Sequence, residues 1–110
     1  MKWTVRFYDI KVMENLQKWP TGIKAKFTCI VELLEELGPN EIGMPHIKTL
    51  GHGLFEIRAK GNEGIGRAFF CISKERVMII LSGFIKKSQK IPLREVKLAK
   101  QRMKEVKSDG

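Results

Sequence analysis

Leu54-Phe55-Glu56-Ile57-Arg58-Ala59-Lys60 alternates strictly, with Phe55, Ile57 and Ala59 on one side of an extended chain and Leu54, Glu56, Arg58 and Lys60 on the other. This period of two is that of a strand with one apolar face. Two further strand-like runs follow, Gly66 to Ile72 and Val77 to Phe84. The breaks between them, Gly61-Asn62-Glu63-Gly64 and Ser73-Lys74-Glu75-Arg76, carry turn chemistry. Three runs at hairpin spacing predict an antiparallel meander. If helices cover its apolar side, Glu56, Arg58 and Arg67 project from the opposite, open side. An arginine there needs a counter-charge, and Glu56, two residues from Arg58, is the nearest in sequence. Such a pair serves either structure alone or a cationic floor that receives a phosphate.

Upstream, residues 2 to 8 alternate again, Trp3, Val5 and Phe7 against Lys2, Thr4, Arg6 and Tyr8, which predicts an N-terminal strand. Asp9 to Trp19 places Val12, Met13 and Leu16 at helical spacing, and Pro20 stops it. From Ile23 the apolar residues Ile23, Phe27, Ile30, Leu34 and Leu37 recur at intervals of 4, 3, 4 and 3 before Gly38-Pro39, as in an amphipathic helix whose stripe is core. Its charges oppose the macrodipole, with Lys24 and Lys26 early and Glu32, Glu35 and Glu36 late, so packing must hold it. The stretch holding Gly38, Pro39, Gly43, Pro45, Gly51 and Gly53 reads as a connection. Pro92 suits the first position of a last helix. On that helix Val96, Ala99, Met103 and Val106 form an apolar stripe, and Lys97, Lys100, Lys104 and Lys107 run beside it. With no repeat or low-complexity linker, the 110 residues are expected to form a single α+β domain, residues 1–110: a strand, two helices, a meander and a basic C-terminal helix.

Twenty-one Lys and Arg against twelve Asp and Glu give a net charge of +9. Residues 1–47 hold six basic and six acidic side chains and residues 48–110 hold fifteen and six, so the whole excess lies in the second part. Such asymmetry favours a polyanionic partner, nucleic acid foremost. The longest apolar runs, Ala68 to Ile72 and Val77 to Leu81, fall far short of the ~20 residues of a membrane span. Arg6 and Asp9 interrupt any signal-like apolar segment, and the chain reads as cytoplasmic with no membrane partner. Cys29 and Cys71 are expected to be two small buried residues in a reducing compartment. They and His46 and His52 lack metal-ligand spacing, so neither a metal nor another cofactor is implied.

The segment Phe84-Ile85-Lys86-Lys87-Ser88-Gln89-Lys90-Ile91-Pro92 sets three lysines just ahead of a helix start. The macrodipole is already positive there, so the arrangement costs stability unless an anion binds. Together with Lys48 and Leu50, Gly53 to Arg58, Arg67 to Phe70, Leu81 to Gly83, Glu95 and Ala99, this segment resembles the phage-derived Gp49-like or HigB-like toxins of the RelE/ParE toxin–antitoxin superfamily, over about residues 20 to 107. The resemblance implies a RelE-like fold with the elements just read. It also implies metal-independent cleavage of messenger RNA, usually on the ribosome, with the ribose 2′-OH attacking the scissile phosphate.

That chemistry needs a base for the 2′-OH, cations for charge building on phosphorus and an acid for the leaving 5′-oxygen. By the resemblance, Arg58 and Arg67 would bind the scissile phosphate bidentately. Lys86, Lys87 and Lys90 would grip the RNA backbone or stabilise the transition state, with Lys48 as a weaker addition. Lys97 and Lys100 would extend the RNA-binding surface along the last helix. Relatives that use a tyrosine or histidines near the C-terminus are not matched, since the only tyrosine is Tyr8. His52, Glu56 or a lysine with lowered pKa are the candidates for proton transfer. Two other classes stay open: a noncatalytic toxin that inhibits DNA gyrase by protein binding, and a basic RNA-binding module. The resemblance further implies a cognate helix-turn-helix antitoxin. It would either occlude Arg58, Arg67 and Lys86 directly, the preferred mode, or dock on the helix carrying Glu32, Glu35 and Glu36.

Overall fold

The computed structural model describes residues 2–86 and 92–109. In chain order these form β1 (Thr4–Phe7), α1 (Ile10–Gln17), α2 (Thr21–Leu37), a 3-10 turn (Pro39–Glu41), β2 (Ile47–Gly51), β3 (Leu54–Gly61), β4 (Gly64–Lys74), β5 (Val77–Lys86) and α3 (Leu93–Asp109). The five strands make one sheet in the order β1-β5-β4-β3-β2. From β2 to β5 every neighbour is antiparallel, which is the expected meander, but β1 lies parallel to β5 with Thr4 opposite Val77 and Phe7 opposite Ile80. The sheet is therefore mixed.

A strand absent from the sequence reading is β2, which lies in the Gly/Pro-rich stretch taken as a connection. Only Ile47 of its five residues is buried, so its own sequence carries little alternation. Pairing with β3 makes it a strand. The two are joined by His52-Gly53, with φ of +55° and +86°, the positive signs at both loop residues that suit a tight hairpin.

The helices α1 and α2 bury Val12, Leu16, Ile23, Phe27, Ile30 and Leu34 against Ile57, Ala59, Ala68, Phe70 and Ile80 on one sheet face. Asp9 caps α1, its carboxylate accepting from the Val12 N–H at 2.9 Å. Leu37, the last residue of the α2 stripe, stays 50% exposed rather than joining the core, because the helix ends at the sheet margin. No side chain of α2 itself caps its N-terminus. The β3–β4 turn supplies the missing acceptor, Glu63 receiving the Gly22 N–H at 2.9 Å, and that bond holds the Glu63 carboxyl below its ordinary pKa. Close approach is possible because residue 61 is glycine; a Cβ there would stand 2.6 Å from the Ile23 backbone nitrogen.

The opposite face is not open along its length. Val96, Ala99, Met103 and Val106 of α3 pack over Leu54, Phe69, Cys71 and Leu81. Arg102 fixes this helix, donating to the Leu81 carbonyl at 2.6 Å with its guanidinium 4.7 Å from the centre of the Tyr8 ring. The Tyr8 hydroxyl donates to Glu105, a bond that raises its pKa, with burial adding to the effect. Pro92 sits just before the helix rather than inside it, its carbonyl accepting the Glu95 N–H. Cys71 is buried as expected, whereas Cys29 is exposed on the solvent side of α2, between the buried positions Phe27 and Ile30. Among the described residues no helix is long and apolar enough to cross a membrane.

Candidate functional site

Register assembles the charged residues of the sheet. Arg67 stands opposite Arg58 across β3 and β4, and one step on, Ile65 stands between Lys60 and Lys86. Directly paired residues point to the same face, so Glu56, Arg58, Lys60, Arg67 and Lys86 share the side that α1 and α2 leave uncovered. Lys48, opposite Glu56 on β2, belongs to the same side and is exposed.

The counter-ion of Glu56 is Arg67, not Arg58. Arg67 Nη1 lies 2.7 Å from Glu56 Oε2, with the side chains 6% and 0% exposed. Residues two apart on one strand are separated by about 6.6 Å along it, whereas the antiparallel partner reaches diagonally across the ladder. The pair is thus sealed in the sheet rather than projecting into solvent. Among the described residues its pairing is incomplete: Glu56 Oε1, Arg67 Nε and Arg58 Nε are buried atoms with no hydrogen-bond partner there. Arg58 is half-buried beside it, and Lys86 completes the cluster. The Lys86 ammonium is held below its ordinary pKa of 10.5 by burial and then by repulsion from Arg67 and Arg58, with Glu56 opposing. Two arginines directly opposite each other repel, and the carboxylate beside them, Glu56, bonds only Arg67. Among the described residues the cluster thus sets three cations around one carboxylate.

The family model described as "Phage derived protein Gp49-like" matches residues 14–104. The chain belongs to the Gp49-like family. Its fold is RelE-like. The Escherichia coli toxin RelE, in a mutant with two arginines changed to alanine and in the free state, superposes with a TM-score of 0.66 at 12% identity, covering 93% of this chain and 98% of that one. RelE from an archaeal RelE–RelB complex of Pyrococcus horikoshii gives 0.57 at 22% identity, over 79% of this chain and 98% of its own. No curated protein matches the sequence.

Within this Gp49-like chain the other expected site residues are dispersed. His52 is exposed at the β2–β3 turn, six residues and about 20 Å of extended strand from Arg58, and the structure does not bring it to the cluster. Lys97 and Lys100 are exposed on α3, Lys97 lining a shallow depression with Arg94, Leu98 and Gln101. Lys87 and Lys90 lie outside the described residues.

Sequence reasoning passed over Lys26 and His46. The His46 carbonyl accepts the Arg58 N–H at 2.8 Å, which carries the β2–β3 ladder one step past Ile47. Both residues line a cleft of about 410 Å³ with Pro45, Arg58, Lys60 and Ile65. His46 shares parity with Lys48, a signal readable only once β2 is recognised. Lys26 carries no such signal, since it arrives from another element.

Proposed function

We propose that this protein is the toxin of a type II toxin–antitoxin pair and a metal-independent endoribonuclease acting on messenger RNA at the ribosome. The observation that carries the reading is the face-to-face pair Arg58 and Arg67 with Lys86 beside them, three cations around the single buried carboxylate of Glu56. Gp49-like membership and the fold shared with the Escherichia coli toxin RelE support it.

In this reaction the ribose 2′-hydroxyl gives its proton to solvent water as its oxygen attacks phosphorus, the bond to the 5′-oxygen breaks and that oxygen takes up a proton, leaving a 2′,3′-cyclic phosphate and a 5′-hydroxyl. Arg58, half-buried and with Nε unpartnered among the described residues, holds the scissile phosphate in this reading. Arg67 already spends one guanidinium nitrogen on Glu56, so it acts mainly through its charge and by fixing the floor. Lys86, its proton loosened by burial and then by repulsion from Arg67 and Arg58, donates to the departing 5′-oxygen. Glu56, paired with Arg67, acts in this reading as a positioning residue. The partner is a cognate antitoxin, on the analogy of the archaeal RelE found in complex with RelB. Acidic side chains meeting the +9 chain would steer its association.

Brief induction followed by sequencing of RNA 5′ and 3′ ends tests the proposal. Codon-phased cuts are expected, and Arg58→Ala should lower cleavage about a hundredfold, the loss of roughly 3 kcal/mol of transition-state stabilisation. Intact messages with DNA damage would instead identify a gyrase inhibitor. Bound but uncut RNA would identify an RNA-binding module.

A further inference from the structure

The cleft beside Arg58 is built differently from the cation cluster. Because β2 pairs with β3 only as far as the His46–Arg58 bond, the last part of β3 is an edge. Lys26 of α2 reaches this edge from the other layer and closes the cleft. Pro45, His46 and Ile65 supply apolar and aromatic surface, while Lys26, Arg58 and Lys60 supply charge. Among the described residues no carboxylate lines it. Its volume of about 410 Å³ falls within the roughly 300–1,000 Å³ typical of small-molecule sites.

We propose that this cleft is a ribonucleotide subsite, in which a nucleobase next to the scissile bond stacks on His46 between Pro45 and Ile65 while its phosphate is held by Arg58, Lys60 and Lys26. It rests on the reading of Arg58 as a phosphate ligand. A wall made of an imidazole, a proline ring and a branched aliphatic side chain suits the π-face of a base, and stacking of this kind gives affinity that tolerates any base. An acidic side chain of a protein partner would use the three cations and leave the apolar wall unfilled. The wall is what favours the nucleotide. Arg58 then sits at the junction, with the cluster of Arg67 and Lys86 on one side and the base on the other. The subsite sets which phosphate of a bound strand reaches Lys86.

Titration of the full chain with the four ribonucleoside 3′-monophosphates and, separately, with inorganic phosphate tests this by NMR. The two histidines provide the readout and its control. Nucleotides are expected to bind at least tenfold tighter than phosphate and to move the His46 ring resonances, leaving those of His52 unmoved. His46→Ala should reduce nucleotide affinity to that of phosphate, and Lys26→Ala should weaken both ligands. If His46→Ala does not fold, the wild-type ring resonances and the Lys26→Ala variant decide the matter. Equal affinity for nucleotide and phosphate would overturn the subsite, as would displacement of nucleotide by a short poly-glutamate peptide that binds the cleft more tightly. RNA cleavage is read separately. A chain that cleaves no RNA but keeps the tenfold preference retains the subsite and loses the ribonuclease reading; cleavage without the preference removes the subsite alone.

Discussion

At the scale of single residues, Glu56 decides whether the cluster holds together. Its carboxylate is fully buried and faces a buried guanidinium, and removing one partner of such a pair leaves an uncompensated charge in a poorly solvated place. Glu56→Ala should therefore cost about 3–5 kcal/mol of folding stability, read by urea denaturation. Added phosphate should recover part of the loss, because an anion bound only by the folded state stabilises it. Lys86 provides a second test. Its pKa in the folded chain lies below the ordinary 10.5, so between the two values the unfolded chain binds more protons and stability rises with pH. Arg58→Gln removes one repelling charge and should raise the Lys86 pKa, measurable by NMR of its side-chain nitrogen; an unchanged value would place Arg58 out of electrostatic reach. Strand parity made the shared face of Glu56 and Arg58 legible in the sequence. It could not show which arginine Glu56 would meet, because parity gives the side of a strand and register gives the diagonal neighbour.

Among the elements, legibility followed how much of each pattern was local. The α2 spacing of 4, 3, 4 and 3 was sufficient because that helix buries one continuous stripe, and only its terminal Leu37 departs, at the sheet margin. The meander was legible because β3 alternates, β4 and β5 carry short continuous apolar runs and the turns between them have their own chemistry. Hidden were β2, whose single buried residue leaves no pattern, and the parallel docking of β1 on β5, which joins residues more than 70 positions apart. The attachment of α3 is likewise nonlocal, resting on Arg102 between the Leu81 carbonyl and the Tyr8 ring. Arg102→Ala strips a charged donor from a buried carbonyl, a loss of about 1.5–3 kcal/mol. The effect should be confined: amide exchange should quicken in α3 and on its contact with β5 while α2 stays protected. Equal acceleration in α2 would mean that the two helical layers open together.

Over the whole molecule, two helices close one face of the sheet and α3 closes only part of the other, and among the described residues two separate groups of cations lie on that second side. One is the strand cluster around Arg58; the other is the exposed side of α3 with Lys97, Lys100, Lys104 and Lys107. They differ in kind. The strand residues are partly desolvated and charge-coupled, which is what chemistry on phosphorus needs, whereas the α3 lysines are solvated and can only neutralise phosphates along a strand of RNA. Salt dependence separates the two roles, because each phosphate contact to single-stranded RNA contributes about 0.7 to the slope of log K against log salt. Replacing Lys97 and Lys100 together by alanine should lower the slope of RNA binding by about 1.4 and leave the rate of cutting of saturating RNA unchanged. Arg58→Ala should do the reverse, altering the slope by at most one contact and depressing the cutting rate. Filter binding across a salt series, paired with single-turnover cleavage, measures both. If the α3 substitutions slow cutting at saturation, the helix contributes to the reacting geometry and the division between the two surfaces fails.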